Sequence, residues 1–306
     1  MCTIGNSFCS PYGFNSNVVF KQCDLVDKTE FIDPVVDENA LSSNERIRYV
    51  AFTRRKGDMT PAWAGVNEFG VSFVAADSYL KKNNDKLIET PKNDISVFDM
   101  YLKIITSFKC AKEAVKMASA FYREVHYADE LTDILLIADK DESYFIETLN
   151  GEVRIIKRTN GHFVSTNHCR MFYDAAPYSQ NHSTYLRLQR AENLLMKRDD
   201  NTGIGDLLRD SYYGKTVWSI CRYASVNDQD VELVLGPDED MFYTQASVIF
   251  TVIPTKGERP RVICEYVLNN NAAQTEGTVW LPFDGGSTKQ AFIGKNENIP
   301  LITTIA

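Results

Sequence analysis

Positive charge is in short supply in this chain. Its 306 residues include 33 Lys and Arg against 41 Asp and Glu, for a net charge of −8. A nucleic-acid-binding domain carries a basic face, so nucleic acid is excluded as a partner. Long hydrophobic runs are also missing. The longest, from Ala246 to Pro254, falls far short of the ~20 residues that cross a bilayer. No basic segment followed by an apolar one precedes Asn15. The expectation is therefore a chain without a signal peptide, cytoplasmic and with no membrane partner.

Histidine is scarce, at four residues, and the seven cysteines include no C-x-x-C pair. Free thiols are expected. His162 and His168 do not stand in a zinc-site spacing. Gly203-x-Gly205 lacks the third glycine and the preceding strand of a dinucleotide site, and Gly285 to Lys289 has the wrong order for a phosphate loop. There is no G-x-S-x-G elbow. No cofactor and no metal are expected. No repeat, low-complexity tract or Pro/Gly/Ser linker divides the chain, so residues 1–306 are expected to form a single domain.

What is present is a set of short β-branched and aromatic runs bounded by turn residues, the signature of strands. They lie at Val18 to Phe20, Tyr49 to Thr53, Phe69 to Ala76, Ile134 to Ala138, Ser143 to Glu147, Val153 to Ile156, His162 to Val164, Ser247 to Ile253 and Arg261 to Val267. Asn150-Gly151 between two of them is a strong hairpin signal. Ser96 to Tyr122 carries apolar residues at spacings of three and four, which predicts an amphipathic helix with a break near Ser107 to Cys110. Thr184 to Met196 predicts a second helix and Ile204 to Tyr212 a shorter one. Strand and helix clusters follow one another without regular βαβ alternation, so the fold class is α+β, with antiparallel meanders and helices packed outside.

The residue with the most chemistry is Cys2. A residue this small permits removal of Met1, which would leave Cys2 with a thiol and a free α-amine on adjacent carbons. Their reference pKa values, about 8.5 and ~7.7–8.0, are close enough to neutrality for the two groups to share a proton. The amine can take the thiol proton and return it to a leaving nitrogen, so one residue supplies nucleophile and base.

Several further segments, in order, join Met1-Cys2-Thr3 in a wider pattern. They are Lys21-Gln22-Cys23-Asp24, Gly65-Val66-Asn67-Glu68-Phe69-Gly70-Val71, Asp133 to Asp139 with Tyr144 to Glu147, and Ser165-Thr166-Asn167-His168. Ser183 to Leu195 with Arg187 and Arg190, Leu207 to Asp210, Ser219 to Arg222 and Thr244 to Val248 complete it. In these the chain resembles the N-terminal-nucleophile (Ntn) cysteine hydrolases. The closest group is the acyl-CoA:6-aminopenicillanate/isopenicillin N acyltransferase-like family, and the penicillin V acylases and choloylglycine hydrolases are similar cousins. The resemblance spans roughly residues 1 to 270.

It implies a four-layer αββα sandwich, two antiparallel sheets between helical layers. It also implies an amidohydrolase or acyltransferase acting on a linear amide or thioester of a small N-acyl compound. The site it implies has Cys2 as nucleophile, Asp24 orienting it, Asn167 and Asn67 as oxyanion donors, and Arg222 favouring the thiolate. Lys21, where the family mostly has Arg, would contact substrate; a point charge there loses the bidentate fork. Lysine at that position is shared with dipeptidase and secernin-like relatives, which keeps a peptide hydrolase open. A catalytically inactive binding protein on the same fold is the third reading. A homo-oligomer, dimer or tetramer, is also implied.

Overall fold

The computed structural model describes residues 2–9, 16–25, 30–36, 47–55, 58, 60–78, 97–124, 132–149, 151–173, 183–197, 203–214, 218–221, 243–257, 259–268, 275–281 and 294–295. Strands β1 (Cys2–Cys9), β2 (Ser16–Leu25), β3 (Phe31–Val36), β4 (Tyr49–Arg54), β5 (Ala62–Asn67) and β6 (Ser72–Ser78) precede helices α1 (Val97–Ser107) and α2 (Ala111–Glu124). Then come β7 (Thr132–Ala138), β8 (Ser143–Leu149), β9 (Glu152–Arg158), β10 (His162–Ser165), α3 (Ser183–Met196) and α4 (Ile204–Leu208). The last elements are β11 (Tyr243–Ile253), β12 (Arg261–Leu268), β13 (Thr275–Leu281) and β14 (Gly294–Lys295).

These strands form two seven-stranded sheets, ordered β10-β1-β2-β11-β12-β13-β14 and β3-β4-β5-β6-β7-β8-β9. Every pairing is antiparallel. Because successive side chains on a strand point to opposite faces, each sheet has two apolar faces to cover. The faces turned toward each other share one core, with Cys2, Ile4, Val19 and Cys23 from the first sheet against Val50, Trp63, Val66 and Val74 from the second. The outer face of the second sheet, with Phe73, Leu135 and Ile137, is covered by Met100, Ile104 and Ile105 of α1 and Ala114 and Ala118 of α2. The outer face of the first, with Val18 and Phe20, is covered by Leu188, Ala191 and Leu195 of α3 and Leu207 and Leu208 of α4. The result is the four-layer αββα sandwich.

Polar groups fix how the layers meet. Asn17 on β2 donates to Asp139 O and to Ser143 Oγ at 2.8 Å each, so it ties one sheet to the other. The Asp139 carboxylate accepts from Ala111 N at 2.7 Å, which caps α2, and from Asp141 N and Glu142 N in the β7–β8 turn. Burial pushes that carboxyl upward against these hydrogen bonds. The predicted break between the first two helices falls at residues 108–110. Leu149 pairs with Glu152 across the predicted hairpin, with Gly151 at φ 79°.

Among the boundaries that differ from expectation, two have a readable cause. β6 starts at Ser72 rather than Phe69, because Asn67 to Gly70 close a turn with Gly70 at φ 79°. α4 ends at Leu208, where Arg209 leaves helical geometry and Asp210 engages the Arg190 side chain.

Candidate active site

β1 lies inside its sheet, paired with β10 on one side and β2 on the other. The pleat sends Cys2 and Ile4 into the space between the sheets, while Thr3 faces α3. Cys2 pairs directly with Cys23 on β2, and both thiols enter the same core. They are hydrogen-bonded, with Cys23 as the donor when Cys2 is ionised. That bond is the largest influence on Cys2, and the charge of Lys21 acts in the same direction. Together they outweigh burial and the charge of Asp77 and bring the thiol down to about 5. Cys23 moves upward, because ionising it would place a second negative charge beside the first in a buried site. The pair thus favours ionisation at Cys2 and keeps the proton on Cys23.

Asn167 follows β10 and is 1% exposed. Its Oδ1 accepts from Cys2 N at 2.6 Å and from an Arg187 guanidinium N–H at 2.9 Å. Its Nδ2 donates to Asp77 O at 2.7 Å. An amide nitrogen carries two hydrogens, so one N–H of Asn167 remains for a ligand. The amide is held from behind as well: Asn167 N donates to Thr184 Oγ1 at 2.9 Å, and Thr166 Oγ1 donates to Thr184 O at 2.8 Å. The next residues are gripped by Glu147 of the other sheet, whose carboxylate accepts from Arg170 N and Met171 N at 2.7 Å each.

Arg187 is completely buried. It donates to Cys2 O at 2.6 Å, Thr3 Oγ1 at 3.2 Å and Asn167 Oδ1 at 2.9 Å. One guanidinium therefore joins the nucleophile's strand to the candidate oxyanion donor, a task that suits its planar fork. Lys21 is also buried. Its Nζ donates to Ala75 O at 2.6 Å and Trp63 O at 3.4 Å and lies 5.2 Å from the Trp63 ring centroid. It stands on the Cys23 face of β2, two residues from that thiol.

The other expected residues are placed less directly. Asp24, on the opposite face of β2 from Cys23, accepts from Thr244 Oγ1 at 2.7 Å, and Gln22 Nε2 donates to the same hydroxyl at 3.0 Å. Arg222 lies outside the described residues. Asn67 is not brought to Cys2. Its Nδ2 donates to Ile105 O and Phe108 O at the end of α1, and its Oδ1 accepts from Phe69 N and Val71 N. Its backbone N–H donates to Val71 O at 2.9 Å. Turn closure and helix docking consume the groups expected to face an oxyanion.

Three residues near Cys2 were given no role in the expected site, although Cys23 and Arg187 lie in the segments that carry the resemblance. Cys23 was read only as part of the segment from Lys21 to Asp24, though it shares the parity of Lys21. Arg187 sits on the buried stripe of α3 with Thr184, Leu188 and Ala191, and a charge on such a stripe is a readable signal. Asp77, exposed near the end of β6, has no comparable signal. Among the described residues, no group of three or more His, Cys, Asp or Glu side chains is arranged to hold a metal ion. No helix among them is long and apolar enough to cross a membrane.

No family model and no curated protein matches the chain. Solved structures do. The cysteine-to-alanine mutant C2A of conjugated bile acid hydrolase from Clostridium perfringens is similar over 99% of this chain and 100% of that one, at 13% identity and a TM-score of 0.52. An arginine-to-leucine variant of the same hydrolase is similar over 98% of this chain and 100% of that one, at 14% identity and a TM-score of 0.55. At these identities the likeness is one of fold, and it agrees with the αββα sandwich described above.

Proposed function

We propose that the chain is an Ntn-type cysteine amidohydrolase acting on a linear amide of a small N-acyl compound, through an acyl-enzyme on Cys2. The observation that carries this reading is the Cys2 thiol, held low beside Cys23 and Lys21, with its own nitrogen 2.6 Å from Asn167 Oδ1. The similarity in fold to a hydrolase that acts on conjugated bile acids supports the same class of bond. The reading requires removal of Met1, which frees the Cys2 amine.

In this mechanism the Cys2 thiolate attacks the amide carbonyl. The developing oxyanion takes the remaining N–H of Asn167, whose position is fixed by Arg187 and Asp77 O. The Cys2 amine, held by Asn167 Oδ1, delivers a proton to the leaving nitrogen and then accepts one from water in deacylation. Lys21 stabilises the thiolate by its charge. Asp24 and Arg222 are assigned to orienting Cys2 and favouring its ionised form, as the resemblance implies. Transfer to an amine acceptor in place of water would make the same intermediate an acyltransferase's. The domain is read as residues 1–306.

The test is intact mass of the purified chain, followed by incubation with a panel of N-acyl amides. The expected results are loss of Met1, release of amine and a transient acyl adduct mapped to Cys2. Cys2→Ala should abolish turnover and leave the melting temperature nearly unchanged. Undiminished amine release by that variant would overturn the assignment.

A further inference from the structure

We propose that Cys2 and Cys23 form a dithiol modification site, which a hydroperoxide closes into a reversible cross-strand disulfide. The geometry comes from the sheet. The two residues are direct partners in the β1–β2 ladder, on the same face, with both thiols in the inter-sheet core. Directly opposed residues on antiparallel strands have Cα atoms about 4.5 or about 5.5 Å apart, according to the type of pair. Both values lie in the ~4.4–6.8 Å range that a disulfide spans. Their Cβ atoms, at about 4.5–5.5 Å, must draw together by roughly an ångström to reach the ~3.8 Å typical of the bond.

No other described cysteine is a ladder partner of Cys2. Cys169 is engaged with Ser78 Oγ at 3.2 Å. Cys264 pairs with Phe250 and Val279 on β12, away from β1.

The chemistry follows from the division of protons between the two sulfurs. The Cys2 thiolate attacks the hydroperoxide's terminal oxygen and breaks the O–O bond. Cys2 becomes a sulfenic acid and the other oxygen leaves as alkoxide or hydroxide, which takes a proton from solvent. Cys23 then attacks the Cys2 sulfur. The S–S bond forms, the S–O bond breaks, and the Cys23 proton leaves with the hydroxyl as water. The two electrons lost by the sulfur pair reduce the peroxide bond. Cys23 needs only that ångström-scale approach to reach the sulfenic acid, so the disulfide forms ahead of further oxidation to the irreversible acids. A thiol reductant restores both groups.

The regulatory meaning of this site rests on the amidohydrolase reading, since closing the bond removes its nucleophile. The modification itself does not. The test therefore reads mass rather than turnover. The purified chain is treated with hydrogen peroxide and analysed without reduction, before and after dithiothreitol. The expected product has lost two hydrogens, yields a linked peptide pair containing Cys2 and Cys23, and reverts on reduction. Cys23→Ala should instead give a Cys2 sulfenic acid trapped by a dione reagent, with no linkage. A chain that hydrolyses no amide yet forms this link would support the site and retire the amidohydrolase reading. A wild-type chain that accumulates trapped sulfenic or sulfinic acid at Cys2, or links Cys2 elsewhere, would overturn the proposal.

Discussion

Substituting Asn167 in two ways separates its two tasks, because its two amide atoms serve different partners. Oδ1 receives Cys2 N and Arg187, while Nδ2 gives one hydrogen to Asp77 O and, in the proposed mechanism, the other to the oxyanion. Asn167→Ala removes both atoms. It takes away the oxygen that accepts from Cys2 N and from one Arg187 N–H, while Arg187 keeps Cys2 O and Thr3 Oγ1. Each loss costs about 1–3 kcal/mol, and the charged donor is the more expensive, so the variant should be destabilised by roughly 2–6 kcal/mol. Asn167→Asp keeps an oxygen for Arg187 and adds a charge that pairs with it. It turns the other oxygen toward Asp77 O at the position where Nδ2 stood, so the oxyanion donor is gone. Its stability loss should be smaller than that of the alanine variant. The rate loss should be at least as large, about 10²–10³-fold, the usual effect of deleting one oxyanion donor.

The assay pairs urea melts with single-turnover release of amine from an N-acyl amide that the wild type cleaves. Opposite rank orders in the two measurements would identify Asn167 as a donor to the reacting carbonyl. An aspartate variant that keeps its rate to within about threefold would refute the argument, since no carboxylate could then replace the missing N–H.

Other perturbations address the electrostatics and the scaffold. Lys21→Met removes a positive charge that favours the Cys2 thiolate; the midpoint of the pH profile for Cys2 alkylation should rise by on the order of one unit. Lys21→Arg should leave it near the wild-type value, and an unmoved midpoint in the methionine variant would discount the charge. Asp133 accepts from Tyr101 and Tyr122 hydroxyls at 2.7 and 2.8 Å, and burial first of all pushes it up to about 6. A folded pKa above the unfolded value means that its stabilising contribution is complete below about pH 4 and is lost as pH rises through about 6. Asp133→Asn should therefore gain on the wild type by up to roughly 3 kcal/mol between those limits, and a pH-independent difference in urea stability would contradict this. Asp139→Ala removes the acceptor for Ala111 N and for two turn amides. It should lower stability by about 1–2 kcal/mol, and a loss of under about 0.5 kcal/mol would show that water replaces the cap.

The elements legible in the sequence were those whose local signals agree with their packing. The α1–α2 pair and the β8–β9 hairpin are set by periodicity and by Gly151. β1 escaped a strand reading because Gly5, Asn6 and Ser7 have low strand propensity. Its structure is imposed from both sides. A Cβ on Gly5 would lie 2.5 Å from the Phe20 ring and 2.6 Å from Phe163 O, so only glycine lets β2 and β10 close on it. β5 is similar: a Cβ on Gly65 would meet Ile105 of α1 at 2.6 Å. β3 was hidden by Pro34, which falls where the β3–β4 register shifts at the edge of the sheet.

The chemistry proposed for Cys2 could be read from the sequence because it is confined to one residue. The site was not legible where partners come from distant segments, since the pairing of Cys2 with Cys23 and the reach of Arg187 depend on register and helix docking. Asn67 illustrates the converse. Its motif is an accurate turn signal, and turn closure is what its side chain and backbone are occupied with.

The residues around Asn167 are attached to three layers at once. The loop hangs from Glu147 and Asp77 in one sheet, meets Cys2 in the other, and is braced by Thr184 and Arg187 on an outer helix. A slide of one sheet over the other by about an ångström would separate amide from nucleophile while every strand kept its own hydrogen bonds. In the proposed mechanism, catalytic competence thus acts as a strain gauge for the docking of the layers. On gentle loosening with urea or pressure it should fade while the ellipticity of strands and helices still reads as native.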